Sequence, residues 1–222
     1  MAAFAAILRK DLRLELRGGE STIALVAMSL LILVVLVFAL DPRGGDAGAA
    51  AGALWVAMIF AGMLGATRAL LAERENGCLR GLWMSPADRA AIYCAKLLAA
   101  FIFMALAELA AIALMVLFFN LDFDLRLARL IAILCLGAFG FAALATLLAA
   151  ISGRIRAGDL LLPLLLVPLF APALIAGVKA SGAALAGAPF DGFIQWLKVL
   201  AAFDVLFVAA GYLLFEYVIS ED

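Results

Sequence analysis

The chain contains no histidine among its 222 residues. That absence removes the commonest metal and haem ligand and the commonest acid-base group near neutral pH. Only three cysteines are present, Cys78, Cys94 and Cys135. None forms a C-x-x-C pair, so their spacing supports no zinc site, thioredoxin-type motif or disulfide framework. They read as isolated thiols that behave as small apolar residues. No Gly-Lys dipeptide occurs, so there is no P-loop, and any ATP that drives this protein must be bound by a partner. Charge is scarce as well: 15% of residues are charged and the net charge is −1, which gives no signal for nucleic acid.

What the chain has instead is apolar sequence. It is 68% hydrophobic, with a mean hydropathy of +1.21. Six long apolar runs lie near 21–40, 48–71, 94–119, 127–151, 160–178 and 196–217. A helix needs roughly 20 apolar residues to cross a hydrocarbon core of about 30 Å. All six runs meet or approach that length. The expected fold is therefore all-α and polytopic, a single transmembrane domain over 1–222 with the lipid bilayer as its solvent. The first run is too long for the apolar region of a cleaved signal peptide, and it follows a charged segment.

Lys and Arg are distributed unequally between the two sides. The N-terminal segment, the loop between spans two and three, and the loop between spans four and five hold eleven: Arg9, Lys10, Arg13, Arg17, Arg68, Arg74, Arg80, Arg89, Lys96, Arg154 and Arg156. The other side holds five, Arg43, Arg126, Arg129, Lys179 and Lys198. The positive-inside rule then predicts that both termini and the 72–93 loop are cytoplasmic. On the far side only Lys179–Gln195 is long, and its Gly/Ala-rich sequence cannot fold into a domain.

Two cytoplasmic segments carry a pattern. Over 2–17, Phe4, Ile7, Leu8, Leu12 and Leu16 follow helical spacing, while Arg9, Arg13 and Arg17 share another face. That pattern predicts an amphipathic interfacial helix. The 72–93 loop begins with Glu73 and Glu75 and breaks at Gly77. It then carries the short apolar set Leu79, Leu82, Trp83 and Met84. Ser85-Pro86-Ala87-Asp88 reads as a capping box with proline at the first helical position, so a helix is expected to start there and run into span three. Exposed Leu and Trp beside charges suit either a docking surface for a cytoplasmic protein or a dip into the lipid interface.

Inside the spans, Glu108 lies near the middle of span three and Asp204 about a third of the way into span six. A charge near the bilayer centre costs at least ~2.5 kcal/mol, so such residues face a bundle interior, pair, or stay protonated. Structural pairing and a substrate or gating role both fit. Span five holds Pro163, Pro168 and Pro172. Each removes a backbone hydrogen bond, so the helix is expected to kink or break, with re-entrant half-helices as one outcome. Lipid cannot satisfy the freed carbonyls, so the span should pack in protein or line a cavity. Gly48/Gly52, Ala61/Gly65 and Ala142/Thr146 offer close helix contacts. No cluster with catalytic or metal-ligand spacing is visible.

Taken in order, Leu8–Arg17, Leu54-Trp-Val-Ala57, Glu73-x-Glu-x-Gly77, Leu82-x-x-Ser-Pro-Ala-Asp88, Ile92-Tyr-x-x-x-Lys96, the Pro163–Pro172 run and Ala202-Phe-Asp-Val205 form a recognisable set. Across essentially its whole length the chain resembles the haem exporter B family of the cytochrome c maturation (Ccm) system. The resemblance implies an ABC-2-type permease in the bacterial inner membrane, dimeric within its complex. A separate cytoplasmic ATPase would dock on the 72–93 loop through Glu73, Glu75, Gly77, Leu79, Leu82, Trp83, Ser85 and Pro86. It also implies work with the haem-handling membrane protein CcmC, the small protein CcmD and a periplasmic haem chaperone. Haem would be cargo and not a resident cofactor, and ATP would act through the partner. Either haem crosses this permease, or ATP hydrolysis drives release of the loaded chaperone. Without histidine, Met28, Met58, Met63, Met104 and Met115 are the weak haem ligands left, and they are more simply core residues. From other classes, a proton-coupled secondary transporter or a membrane-embedded enzyme would use Glu108 and Asp204.

Overall fold

A computed structural model describes residues 2–18, 20–40, 47–75, 88–119, 124–153, 155 and 158–220. It is all-helical: among the described residues there is no strand. The long helices are α1 (Ala2–Gly18), α2 (Glu20–Leu40), α3 (Ala47–Glu75), α4 (Arg89–Phe119), α5 (Leu125–Ser152), α6 (Gly158–Leu185) and α7 (Ile194–Ser220), with a 3-10 turn at Phe190–Gly192 before the last. Helices α2 to α7 are each long and apolar enough to cross a membrane. The chain is a six-span polytopic protein.

α5 is the central post. It packs against α3, α4, α6 and α7. Its middle reads Gly-Ala-Phe-Gly-Phe-Ala-Ala-Leu-Ala-Thr over 137–146, and nearly all of it is buried. Small residues on every side of one helix let several neighbours approach their backbones at once, which is how apolar helices gain contact in lipid. α6 behaves differently. It buries one stripe, Leu162, Leu166, Phe170, Ala173, Ala176, Ala180 and Ala184, at helical spacing, while Leu164, Val167, Leu169 and Ile175 stay exposed. That stripe faces α5 and α3.

α1 has the expected two faces. Phe4, Ile7, Leu8 and Leu12 are half-buried, and Arg9 and Arg13 are exposed. The helix packs on α4.

Three expectations need correction. α4 does not begin at Ser85-Pro86. Asp88 is non-helical, and its Oδ1 accepts the Ala90 N–H at 3.1 Å. Aspartate is as good an N-cap as serine, so the helix starts at Arg89 behind that carboxylate. α6 does not end near Val178. It continues through Lys179 to Leu185, because alanine is the strongest helix former and one lysine does not interrupt it. The far-side connection therefore shrinks to the turn before α7. Gly187 sits there at φ +76°, a left-handed conformation that suits glycine. Arg129 holds that turn: its guanidinium donates to the Ala188 carbonyl at 3.2 Å and stands 5.7 Å over the Phe193 ring. Finally, α6 is one unbroken helix containing all three prolines, not a pair of re-entrant halves.

Candidate functional site

Among the polar side chains buried in the described bundle, Trp55 and Asp204 each sit against glycines that let neighbours come close. The first is Trp55 on α3. Its side chain is 0% exposed. The indole N–H donates to Ser181 Oγ on α6 at 3.0 Å. The ring lies beside Gly137 of α5 and Gly177 of α6, where a Cβ on either glycine would collide with it. Phe170 stacks on it with ring centroids 6.4 Å apart. Three helices are thus pinned on one side chain whose polar atom is satisfied, as a buried indole requires. Of the small-residue pairs expected to mediate contact, Gly48 meets Gly182 of α6 and Gly65 meets Leu25 of α2, while Gly52 has open space.

The second feature is Asp204 on α7. It is 5% exposed, and neither carboxyl oxygen has a hydrogen-bond partner. Its Oδ1 lies against Gly140 of α5, and Phe203 borders the same glycine. Phe203 packs edge-on to Phe170 at 5.5 Å and against Phe207 at 4.4 Å. The carboxyl is therefore enclosed by an apolar, aromatic seam between α5 and α7. Glu108 on α4 is also buried, and its Oε1 has no partner. Because both Asp204 oxygens are unpartnered, the two carboxyls do not bond to each other. The pairing that the sequence left open is absent from this arrangement.

The other residues singled out are placed less centrally. Glu73 and Glu75 occupy the last turn of α3. Gly77, Leu79, Leu82, Trp83, Ser85 and Pro86 lie outside the described residues. Pro163 is half-buried, whereas Pro168 and Pro172 stand on the exposed face of α6. Met58, Met104 and Met115 are core side chains. Among the described residues, no three Cys, Asp or Glu side chains gather as a metal-binding group.

Sequence reasoning gave Tyr93 no role beyond its place in the Ile92-Tyr-x-x-x-Lys96 motif, and the structure buries it completely between α4, α5 and α7. Gly211 on α7 is the small residue that receives its ring.

The arrangement is that of a membrane-embedded bundle with polar groups in its seams. The family model described as CcmB protein matches residues 2–214. The chain belongs to the CcmB family. That match takes in every buried polar residue described above and all of the helices up to the last turns of α7. Curated relatives agree. The Heme exporter protein B of Bradyrhizobium diazoefficiens is 31% identical over 202 residues, covering 86% of this chain and 88% of that protein. Its namesake in Rhodobacter capsulatus is 32% identical over 175 residues, covering 78% and 80%. The one from Pseudomonas aeruginosa is 33% identical over 151 residues, covering 68% and 67%. The CcmB-family chain is thus a membrane component of the transporter class, and its buried polar residues are to be read in that setting.

Proposed function

We propose that this chain is the permease of an ABC transporter for cytochrome c biogenesis, and that it couples ATP hydrolysis by a partner to haem delivery at the outer face of the inner membrane. The full-length family match carries the reading, because it spans all six membrane helices and not one of them alone. The absence of a P-loop from this sequence supports an ATPase supplied by a partner. CcmC, CcmD and the periplasmic haem chaperone complete the set of partners. A second copy of this chain would cover the exposed face of α6, where Pro168 and Pro172 free backbone carbonyls that lipid does not satisfy.

The decisive test reconstitutes the complex in sealed vesicles with ATP and scores haem translocation and chaperone release separately. ATP-dependent release without haem accumulation assigns the chaperone-release route, and haem accumulation assigns transport. Neither signal with an active ATPase present would remove the proposal.

Docking of the ATPase is assigned to the α3–α4 connection, whose Leu79, Leu82 and Trp83 are flanked by Gly77 and by Ser85-Pro86. Replacing the three apolar residues by Asp puts three charges into a surface that needs apolar contact. The triple variant is expected to insert normally and to lose ATPase co-purification. Normal co-purification would refute the assignment.

Orientation follows from the asymmetry of Lys and Arg. Single cysteines at Gly45 and Ala186, in a background without native thiols, should label from the periplasmic side of intact cells or spheroplasts. Cysteines at Ser85 and Ser220 should label only after permeabilisation. The reverse pattern would invert the topology.

A further inference from the structure

Tyr93 lies one turn into α4, behind the Asp88 cap, and is 0% exposed. Its hydroxyl is 3.2 Å from the Ala143 carbonyl of α5 and 3.2 Å from the Phe207 carbonyl of α7. A phenol has one proton to donate. Each carbonyl has a second lone pair beyond the one used in its helix. Bonds of the O–H···O type cluster at about 2.7–2.8 Å, so both contacts are long. One donor thus stands within reach of two helices, and neither contact is at the best length. A shift of about 0.4 Å toward either carbonyl would complete one bond and surrender the other.

The surroundings hold the ring at this junction. Gly211 of α7 leaves the space it fills, since a Cβ there would collide with the ring and the hydroxyl. Phe215 packs at 5.5 Å, and Ile92, Leu97 and Leu147 close the cluster, with Ile7 of α1 against it. The two carbonyls also have meaningful neighbours. Ala143 is one turn from Gly140 and Phe207 is one turn from Asp204, the pair that meets across the α5–α7 seam.

We propose that Tyr93 is a positioning residue that switches its hydroxyl between the α5 carbonyl of Ala143 and the α7 carbonyl of Phe207. By doing so it passes displacement of the first turn of α4 into the α5–α7 seam. The proposal rests on the reading above that the α3–α4 connection docks the ATPase. Coupling of this kind needs an element with two discrete arrangements, and a single donor between two equidistant acceptors supplies one. A force on the connection meets α4 first at its capped first turn, and Tyr93 is the buried side chain of that turn that reaches both other helices.

The test uses the reconstituted complex with its ATPase, the haem-loaded chaperone and ATP. The wild-type complex is measured first; absence of any ATP-dependent step there would be a failure of the functional reading and not of the switch. Tyr93→Phe keeps the ring and removes the donor. It should assemble, capture the ATPase and hydrolyse ATP normally, while product formed per ATP falls about tenfold, the scale of one hydrogen bond. Phe215→Leu loosens the packing but leaves the hydroxyl. It should lower the melting temperature and leave the ratio of product to ATP unchanged. A wild-type ratio in Tyr93→Phe would overturn the proposal. So would equal loss of the ratio in both variants, or failure of Tyr93→Phe to assemble, since each would make Tyr93 a structural clamp.

Discussion

Leucine at Gly177 is expected to abolish assembly of the bundle. Gly177 on α6 and Gly137 on α5 both press on the Trp55 indole, and even a Cβ at either site would overlap the ring. The indole cannot swing aside cheaply. Its N–H is bonded to Ser181 inside the protein, and leaving such a donor unpaired costs about 1–3 kcal/mol. Overpacking itself costs about 1–3 kcal/mol for added methylenes in a full site, and a leucine adds more than that site can absorb by small shifts. Gly177→Leu should therefore give no monodisperse species on size exclusion, while Gly177→Ala should assemble with a lowered melting temperature. The pair should be strongly non-additive. Adding Trp55→Ala to Gly177→Leu should restore assembly, because the leucine then fills part of the vacated volume. A single Gly177→Leu variant that purifies and melts like wild type would show that α3, α5 and α6 are not packed on this ring.

The six spans were legible because length and composition alone decide them: a bilayer of fixed thickness makes a run of roughly 20 apolar residues unambiguous. Helix ends were less legible. Lys179 looked like a boundary, yet the alanines after it continue α6 to Leu185, and Ser181 in that extension proves to be the partner of Trp55. Helix propensity and snorkelling of a lysine tail both act against reading a boundary from one charge. The start of α4 turned on which of two good capping residues was used. Ser85 and Asp88 fit the same pattern, and only geometry distinguishes them.

The interior polar residues were legible as outliers but not as contacts. Asp204 and Glu108 stood out because carboxyls are rare in lipid, and the structure indeed buries both. That they do not bond to each other could not be read, because it depends on rotation and register of α4, α5 and α7. Tyr93 and Trp55 stood in the motifs, but their contacts were hidden for the opposite reason: an aromatic residue in an apolar run carries no anomaly. Their glycine counterparts, Gly137, Gly177 and Gly211, lie 82 or more positions away in sequence. In a chain so rich in small residues, nothing local marks which glycine receives which ring. The prolines predicted a segment that packs in protein or lines a cavity; within one copy of the chain α6 buries only the stripe away from Pro168 and Pro172, and what covers the other face could not be read.

Removing the charge capacity of Asp204 should cost function and not stability. Both oxygens are buried without a donor. A buried carboxylate in that state is unfavourable by several kcal/mol, and even the neutral acid forfeits the hydrogen bonds it would make in water. The residue therefore contributes nothing to holding α5 and α7 together in this arrangement; the seam is held by Phe203, Phe207 and the close approach at Gly140. Such a group is tolerated when a second arrangement gives it a proton acceptor, a cation or water, and buried ionisable groups in membrane spans mark such steps. Asp204→Asn and Asp204→Ala should accordingly assemble with the ATPase at wild-type levels and melt no lower than wild type. Cytochrome c maturation should fall about tenfold or more in both, the scale of losing one interaction made only in the working state. Glu108→Gln is the control, a second buried carboxyl carried on α4 and not on the α5–α7 seam. Wild-type maturation in Asp204→Ala would remove the functional role, and loss of assembly in Asp204→Asn would show that the carboxyl is a structural tie after all.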